Sequence, residues 1–311
     1  MGEEKDTAAY AAQRGLPPAA VLRKLRGELL DLLVELDRVC RKYGIRYFLS
    51  SGTLLGAVRH QGFIPWDDDV DVDMLRPDYE RFRAAAEKEY GREGAFYFQD
   101  STTDADYNWP YGKFRRAGTH AVRQGQQGIF QRDGIFIDVL VVDVLAPHRP
   151  MQSLMYYMAA FARKILWAPV GWRTLKNPFE KVVFYLLHLI PRAAGLALHR
   201  WVTGWYRGKG TGWAGVFNTA LPRRRGYVHR MEWYENAAEG LFEGRQFPIP
   251  AGYDGILKRF YGAYWELPPP EEQRGSSDLE RITFSDGTCW KWGDDFSDAR
   301  MQSVEEIGER S

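Results

Sequence analysis

From Phe63 to Met74 the chain reads FIPWDDDVDVDM, and from Asp69 onward acidic and apolar residues alternate one for one. Period-two alternation describes a strand with two unlike faces. Val70, Val72 and Met74 then pack on a core, while Asp69, Asp71 and Asp73 line a cleft. Asp67 and Asp68 extend the run, so four carboxylates (Asp67, Asp68, Asp69, Asp71) fall within five residues. Such a cluster repels itself unless a cation or solvent offsets it. Same-face neighbours on a strand lie roughly 6.6 Å apart, a spacing that suits one hard divalent ion or brackets two ions about 3.5 to 4 Å apart. Oxygen-only ligands favour Mg²⁺ or Mn²⁺. The plain alternative is a solvated acidic turn.

A second segment weighs against that alternative. GIFIDVLVVDVL, residues 134–145, is almost wholly β-branched or aromatic and reads as a central strand buried on both faces, interrupted by Asp138. An isolated buried carboxylate costs several kcal/mol unless it is paired or metal-bound, so Asp138 needs an arginine partner or a shared metal. Three aspartates on two strands around a metal is the simpler account. An EF-hand also merits comparison, because Asp69, Asp71, Asp73 and Glu80 fall at its ligand positions 1, 3, 5 and 12. It fails at position 6, where the sharp turn needs glycine and Met74 stands.

Upstream, Pro17 and Pro18 open a helix with Leu22, Leu25, Leu29, Leu32, Leu33, Leu36 and Cys40 on one stripe and Gly44 as its stop. A short strand over 45–49 runs into Ser50, Ser51, Gly52 and Thr53 and then a second helix, LLGAVRH. A strand-to-helix turn of this kind offers backbone N–H groups to an anion. A helix after Pro77 and strands over 96–99 and 111–115 follow.

Charge divides the rest. Net charge is +1 over 311 residues, yet residues 151–230 hold 13 Lys/Arg against a single acid, Glu180. That third carries +12 and the remainder −11, which suits one anionic partner and a separate carboxylate cluster that collects cations. With 45% hydrophobic residues and two distant cysteines, Cys40 and Cys289, the composition excludes disorder throughout, collagen-like repeats and a disulfide-stapled scaffold, and free thiols suit a reducing compartment. MGEEKDTAAY has no apolar signal-peptide core, and Lys181, His188, Pro191 and Arg192 break the best apolar run, so a bilayer span is not expected. The expected organisation is a flexible lead over 1–16, a catalytic core over 17–150, a basic aromatic helical insertion over 151–230, a part packing on the core over 231–270 and a polar tail, partly disordered or wrapping, over 271–311.

The segment SSGTLLGAVRHQGFIPWDDDVDVDMLRPDYERF resembles the signature of the LicD family, which also includes fukutin and the fukutin-related protein. The resemblance continues through YGKFRRAGT, GIFIDVLVVDV, FEGRQFPIP and ILKRFYGAYWELPP, and so covers most of residues 20–270. It implies an α/β (α+β) nucleotidyltransferase-type core, a mixed sheet with flanking helices. The implied reaction is transfer of a phospho-alcohol from a CDP-linked donor, CDP-choline before CDP-ribitol or CDP-glycerol. The acceptor is a hydroxyl of a cell-surface glycan, such as lipopolysaccharide or teichoic acid, or its lipid-linked precursor. On this chain the family's turn falls on Ser51 and Gly52, its Asp-x-Asp pair on Asp69 and Asp71, its third acid on Asp138, and Asp67 belongs to its WDxDxD run. Asp69, Asp71 and Asp138 would hold the metal, with Asp67 or Asp138 as base.

Other residues fit around that centre. Thr53, Lys113 and Arg115 are candidates for the donor phosphates, and Arg59 with His60 could reach them too; Lys113 and Arg115 alternate on one strand face and could equally be a solvent-facing edge. A choline group favours an aromatic cage, with Trp66, Tyr107, Trp109 and Tyr111 as candidates. The stretch 151–209, with Trp167, Trp172, Trp201 and Trp205 among cations, suits a peripheral position at the inner, cytoplasmic face of a membrane or, alternatively, an ordinary helical subdomain. No recognised motif accompanies the basic patch, so nucleic acid is disfavoured. Two rivals stand beside this reading: nucleotidyl transfer from CTP or ATP, and a non-catalytic membrane adaptor of the same fold.

Overall fold

The structure, a computed structural model, describes residues 17–91, 93–123, 132–217, 227–275 and 279–292 and the backbone of 302–303. The expected lead over 1–16 and most of the last residues, with Arg223, Arg224 and Arg225, lie outside the described residues.

Helix α1 (Ala19–Tyr43) forms because its leucines recur at three- and four-residue spacing, and Leu25, Leu29, Leu32, Leu33, Leu36 and Cys40 are all buried. Gly44 ends it at φ 61°, a left-handed conformation open to glycine. The expected strand over 45–49 is shorter, β1 (Phe48–Leu49), and runs into α2 (Ser51–Arg59). Then come β2 (Asp71–Leu75), α3 (Arg76–Tyr90), β3 (Phe96–Gln99), β4 (Gly112–Arg116), β5 (His120–Arg123) and β6 (Phe136–Val144).

These strands build a mixed sheet in the order β1-β2-β6-β4-β3, in which only the β2–β6 pair is parallel. Strand β6 is central, as its composition requires, with Ile137, Val139 and Val141 alternating into the core. Phe114 of β4 packs edge-on to Phe82 of α3 at 5.6 Å, so α3 covers the sheet face opposite Lys113 and Asp138. That leaves the acidic face open to chemistry.

Three helices follow: α4 (Arg149–Thr174), α5 (Pro178–His188) and α6 (Arg192–Gly204). Within the expected insertion, residues 213–216 and 228–230 return to the sheet, because β7 (Trp213–Val216) pairs with the end of β6 and β8 (Val228–Arg230) pairs with β7. The hairpin of β9 (Ala237–Phe242) and β10 (Arg245–Pro250) and helix α7 (Tyr253–Tyr261) then pack beside α2 and β1. The tail also contains structure. Strands β11 (Leu279–Thr283) and β12 (Thr288–Lys291) pair antiparallel, and β11 adds to β5, burying Ile282, Cys289 and Trp290.

Candidate active site

Strand register assembles the site. The parallel β2–β6 pairing sets Asp71 beside Asp138, and the antiparallel β4–β6 pairing sets Lys113 on the other side of the same Asp138. Asp71, Asp138 and Lys113 therefore stand in a row across three adjacent strands on one face. Lys113 Nζ donates to Asp138 Oδ1 and lies 3.4 Å from the centre of the Phe136 ring. Burial pushes its ammonium down to about 7, against the pull of Asp138. Neither Lys113 nor Arg115 is at a solvent-facing edge; both are buried. Arg115 donates Nε to Gln99 Oε1 at 2.6 Å and a guanidinium N–H to the Gly134 carbonyl at 2.5 Å.

The turn before α2 is stitched to the acidic strand. Thr53 Oγ1 accepts the Asp71 N–H at 2.9 Å, and the Ser50 N–H donates to the Asp71 carbonyl at 3.0 Å. Ser51 opens the helix at φ 48°, an uncommon conformation for a residue with a side chain. Gly52 is required by proximity, since a Cβ there would stand 2.7 Å from Asp67 Oδ2. The loop carrying the acids is held from behind by Arg26, whose guanidinium donates to the carbonyls of Ile64 at 2.8 Å and Asp67 at 2.7 Å. The N-terminus of α2 and the acids thus share one rigid frame.

The carboxylates are crowded. Burial, then Asp69, Asp138 and Asp67, hold Asp71 well above the usual carboxylate range; burial and Asp69 do the same to Asp67. Ligand oxygens of Asp67, Asp68 and Asp69 can come within 4.8 Å of one another. This oxygen-only set, whose negative charge Lys113, Arg26 and Arg123 offset only in part, could hold a hard divalent cation. Asp73 departs from the expected cleft position. It is buried, receives the Tyr234 hydroxyl at 3.1 Å, and burial pushes it up to about 7. It braces the floor beneath Ser50.

Other predicted residues are distributed differently. Arg59 donates Nη1 to the carbonyls of Tyr264 at 2.7 Å and Glu266 at 3.1 Å and Nε to His60 Nε2 at 2.9 Å, so it clamps the segment after α7. Trp66 packs half-buried against the main core. Tyr107 and Trp109 meet at 5.5 Å and line one pocket with Lys113, Arg115 and Phe136. Arg123, which the sequence reading passed over, lines it too and lies 5.4 Å from the Phe136 ring. Tyr111 and Trp109 instead face Arg163, Lys164, Trp167 and Phe184 in a second cavity between core and helices. Tyr261 of α7 is the remaining addition: the residue is 42% exposed, and its phenol is raised by burial where it comes close to Asp67 and Asp71.

The chain is similar in sequence to known proteins. The family described as LicD/FKTN/FKRP, nucleotidyltransferase domain, matches residues 44–137. The chain is 29% identical over 262 residues to the lipopolysaccharide cholinephosphotransferase LicD of Haemophilus influenzae, covering 81% of this chain and 94% of that protein. The LicD-family match is confined to residues 44–137, while the likeness to the cholinephosphotransferase runs along most of the chain. The chain is also 40% identical over 73 residues to the human ribitol 5-phosphate transferase FKRP, 24% of this chain and 14% of that one, and 41% identical over 61 residues to the mouse ribitol-5-phosphate transferase FKTN, 20% of this chain and 13% of that one. The matched LicD segment carries the Ser51–Thr53 turn, the acids of β2 and Lys113, and stops one residue before Asp138.

Proposed function

We propose that this chain is a metal-dependent phosphotransferase that moves a phospho-alcohol from a CDP-linked donor to a hydroxyl of a cell-surface glycan or its lipid-linked precursor. The observation that carries the reading is the cross-strand row of Asp71, Asp138 and Lys113 beside the turn at Gly52. Asp69, Asp71 and Asp138 would hold Mg²⁺ or Mn²⁺, which when bound neutralises diphosphate charge and orients an in-line displacement. The acceptor oxygen attacks the phosphorus that bears the alcohol, the bond to the bridging oxygen breaks, and CMP leaves with that electron pair. The hydroxyl proton passes to a carboxylate. Asp67 suits this role better than Asp138, one of whose oxygens is engaged by Lys113. Lys113, Arg115 and Arg123 around Phe136 disfavour a quaternary ammonium among them. CDP-choline is the first donor to try, because the relative that matches along most of its length is a cholinephosphotransferase.

The helices supply the second part of the proposal. No single described helix is long and apolar enough to cross a membrane, although α5 and α6, bent by 87°, pass that test together by length and composition. Helix α5 buries no residue; Phe179 is 75% exposed and Leu189 just beyond it 63%. With Lys176, Lys181 and Arg192 alongside, this face suits peripheral binding at the inner face of a membrane, where a lipid-linked acceptor would be met. Phosphorus NMR of the protein with Mg²⁺ or Mn²⁺ and, in turn, CDP-choline, CDP-ribitol, CDP-glycerol and CTP tests the chemistry. Metal-dependent CMP release, absent in Asp69→Asn, is expected; pyrophosphate from CTP would instead identify nucleotidyl transfer.

A further inference from the structure

On the opposite face of β6 from Asp138, a cavity of about 500 Å³ opens between α3, the turn after β3 and α6. Its charges are unevenly matched. Arg76 is committed to Asp143, with which it makes two hydrogen bonds, Nε to Oδ1 at 2.8 Å and Nη2 to Oδ2 at 2.5 Å. Asp100 is likewise saturated by the Tyr79 hydroxyl at 3.1 Å, Arg83 at 3.3 Å and the N–H groups of Thr102 at 2.7 Å and Thr103 at 3.0 Å. Arg200 and Arg207 also line the cavity, and among the described residues neither is ion-paired. Glu80 is the other acid on the wall.

The wall also carries a buried histidine, which borders a second, water-sized pocket beside Asp143 as well. His199 lines the cavity at 6% exposure, and its Nε2 has no hydrogen-bond partner among the described residues. An orphaned buried nitrogen costs about 1 to 3 kcal/mol unless a ligand or water satisfies it. Burial and the neighbouring Arg76, Arg163 and Arg200 push the imidazole down to about 3, so it is neutral and can carry its proton on Nε2 as a donor. Ser101 and Thr102 add hydroxyls to the wall.

We propose that this cavity is a second anion site that binds the phosphate ester of a phosphorylated sugar, with Arg200 and Arg207 on the phosphate oxygens. The volume fits one or two sugar units, since ligand pockets run about 300 to 1,000 Å³. That the sugar belongs to the acceptor glycan rests on the transferase reading; that the site binds it does not.

Calorimetric titration of the full chain with glucose 6-phosphate in a chelating buffer tests this. The expected result is saturable binding that glucose does not reproduce and that excess CDP-choline does not displace. Arg200→Ala combined with Arg207→Ala should weaken it about tenfold or more, while Lys176→Ala combined with Lys181→Ala, an equal loss of charge elsewhere, should leave it unchanged. No binding, equal binding by the first double variant, or displacement by CDP-choline would overturn the proposal. So would binding of phosphatidylglycerol vesicles, lost in that variant, without binding of the soluble sugar phosphate. Missing CMP release in the donor assay with intact sugar phosphate binding would remove the transferase reading and leave this site standing.

Discussion

The sheet core and the helical insertion contain similar stocks of aromatic and aliphatic side chains but place them oppositely. In the core, α1 and the strands bury their apolar residues almost completely: Leu32, Leu33, Leu36, Val72 and Val139 are all at 0% exposure. Burial there has a second effect, because it raises the proton affinity of carboxylates and lowers that of Lys113. The insertion keeps α4 and α6 anchored through Met155, Tyr156 and Val202 yet leaves α5 with no buried residue. One region uses packing to hold charges in a costly arrangement; the other leaves apolar surface for something outside the chain.

The largest break in that comparison comes from the acids. Asp71→Asn should cut CMP release by about a thousandfold or more, and because Asp71 is held above its ordinary range it should also raise the thermal midpoint. Undiminished turnover would remove the metal site. Next, Leu32→Ala should cost about 2 to 5 kcal/mol in urea unfolding, whereas Leu186→Ala should stay within about 0.5 kcal/mol; equal losses would mean that α5 packs like the core. Phe179→Asp with Leu186→Asp should lower sedimentation with anionic vesicles about tenfold at unchanged stability.

A further effect concerns pH. An unfolded histidine takes up its proton near 6.5, whereas His199 does so only at about 3. The unfolded chain therefore binds more protons as pH falls through that window, and stability declines by up to about 1.4 kcal/mol per unit. His199→Gln should flatten this slope in denaturant titrations between pH 6.5 and 4.

Local patterns made much of this legible. The leucine stripe of α1, the alternation of β2 and the apolar run around Asp138 each follow from a period or a burial cost within a dozen or so residues. What escaped depends on contacts distant in sequence. Arg59 read only as a phosphate candidate, and its clamp on the Tyr264 and Glu266 carbonyls, some 205 residues away, comes from the fold. Asp143 passed unremarked in the same strand as Asp138, and only the fold supplies Arg76 as its partner. Asp73 shares the alternation of Asp71 but lies under Ser50 and Tyr234. The tail read as polar because β11 and β12 each bury only a few side chains, and their partner β5 precedes them by more than 150 residues.

Electron paramagnetic resonance of Mn²⁺ titrated into the protein with CDP-choline tests the metal assignment most directly, since protein-bound ion is lost from the sharp signal of the free hydrated ion. The account predicts that the wild-type chain depletes the free signal saturably and that Asp71→Asn and Asp138→Asn, both folded, do so no more than CDP-choline alone. Equal depletion by the wild type and both variants would contradict it.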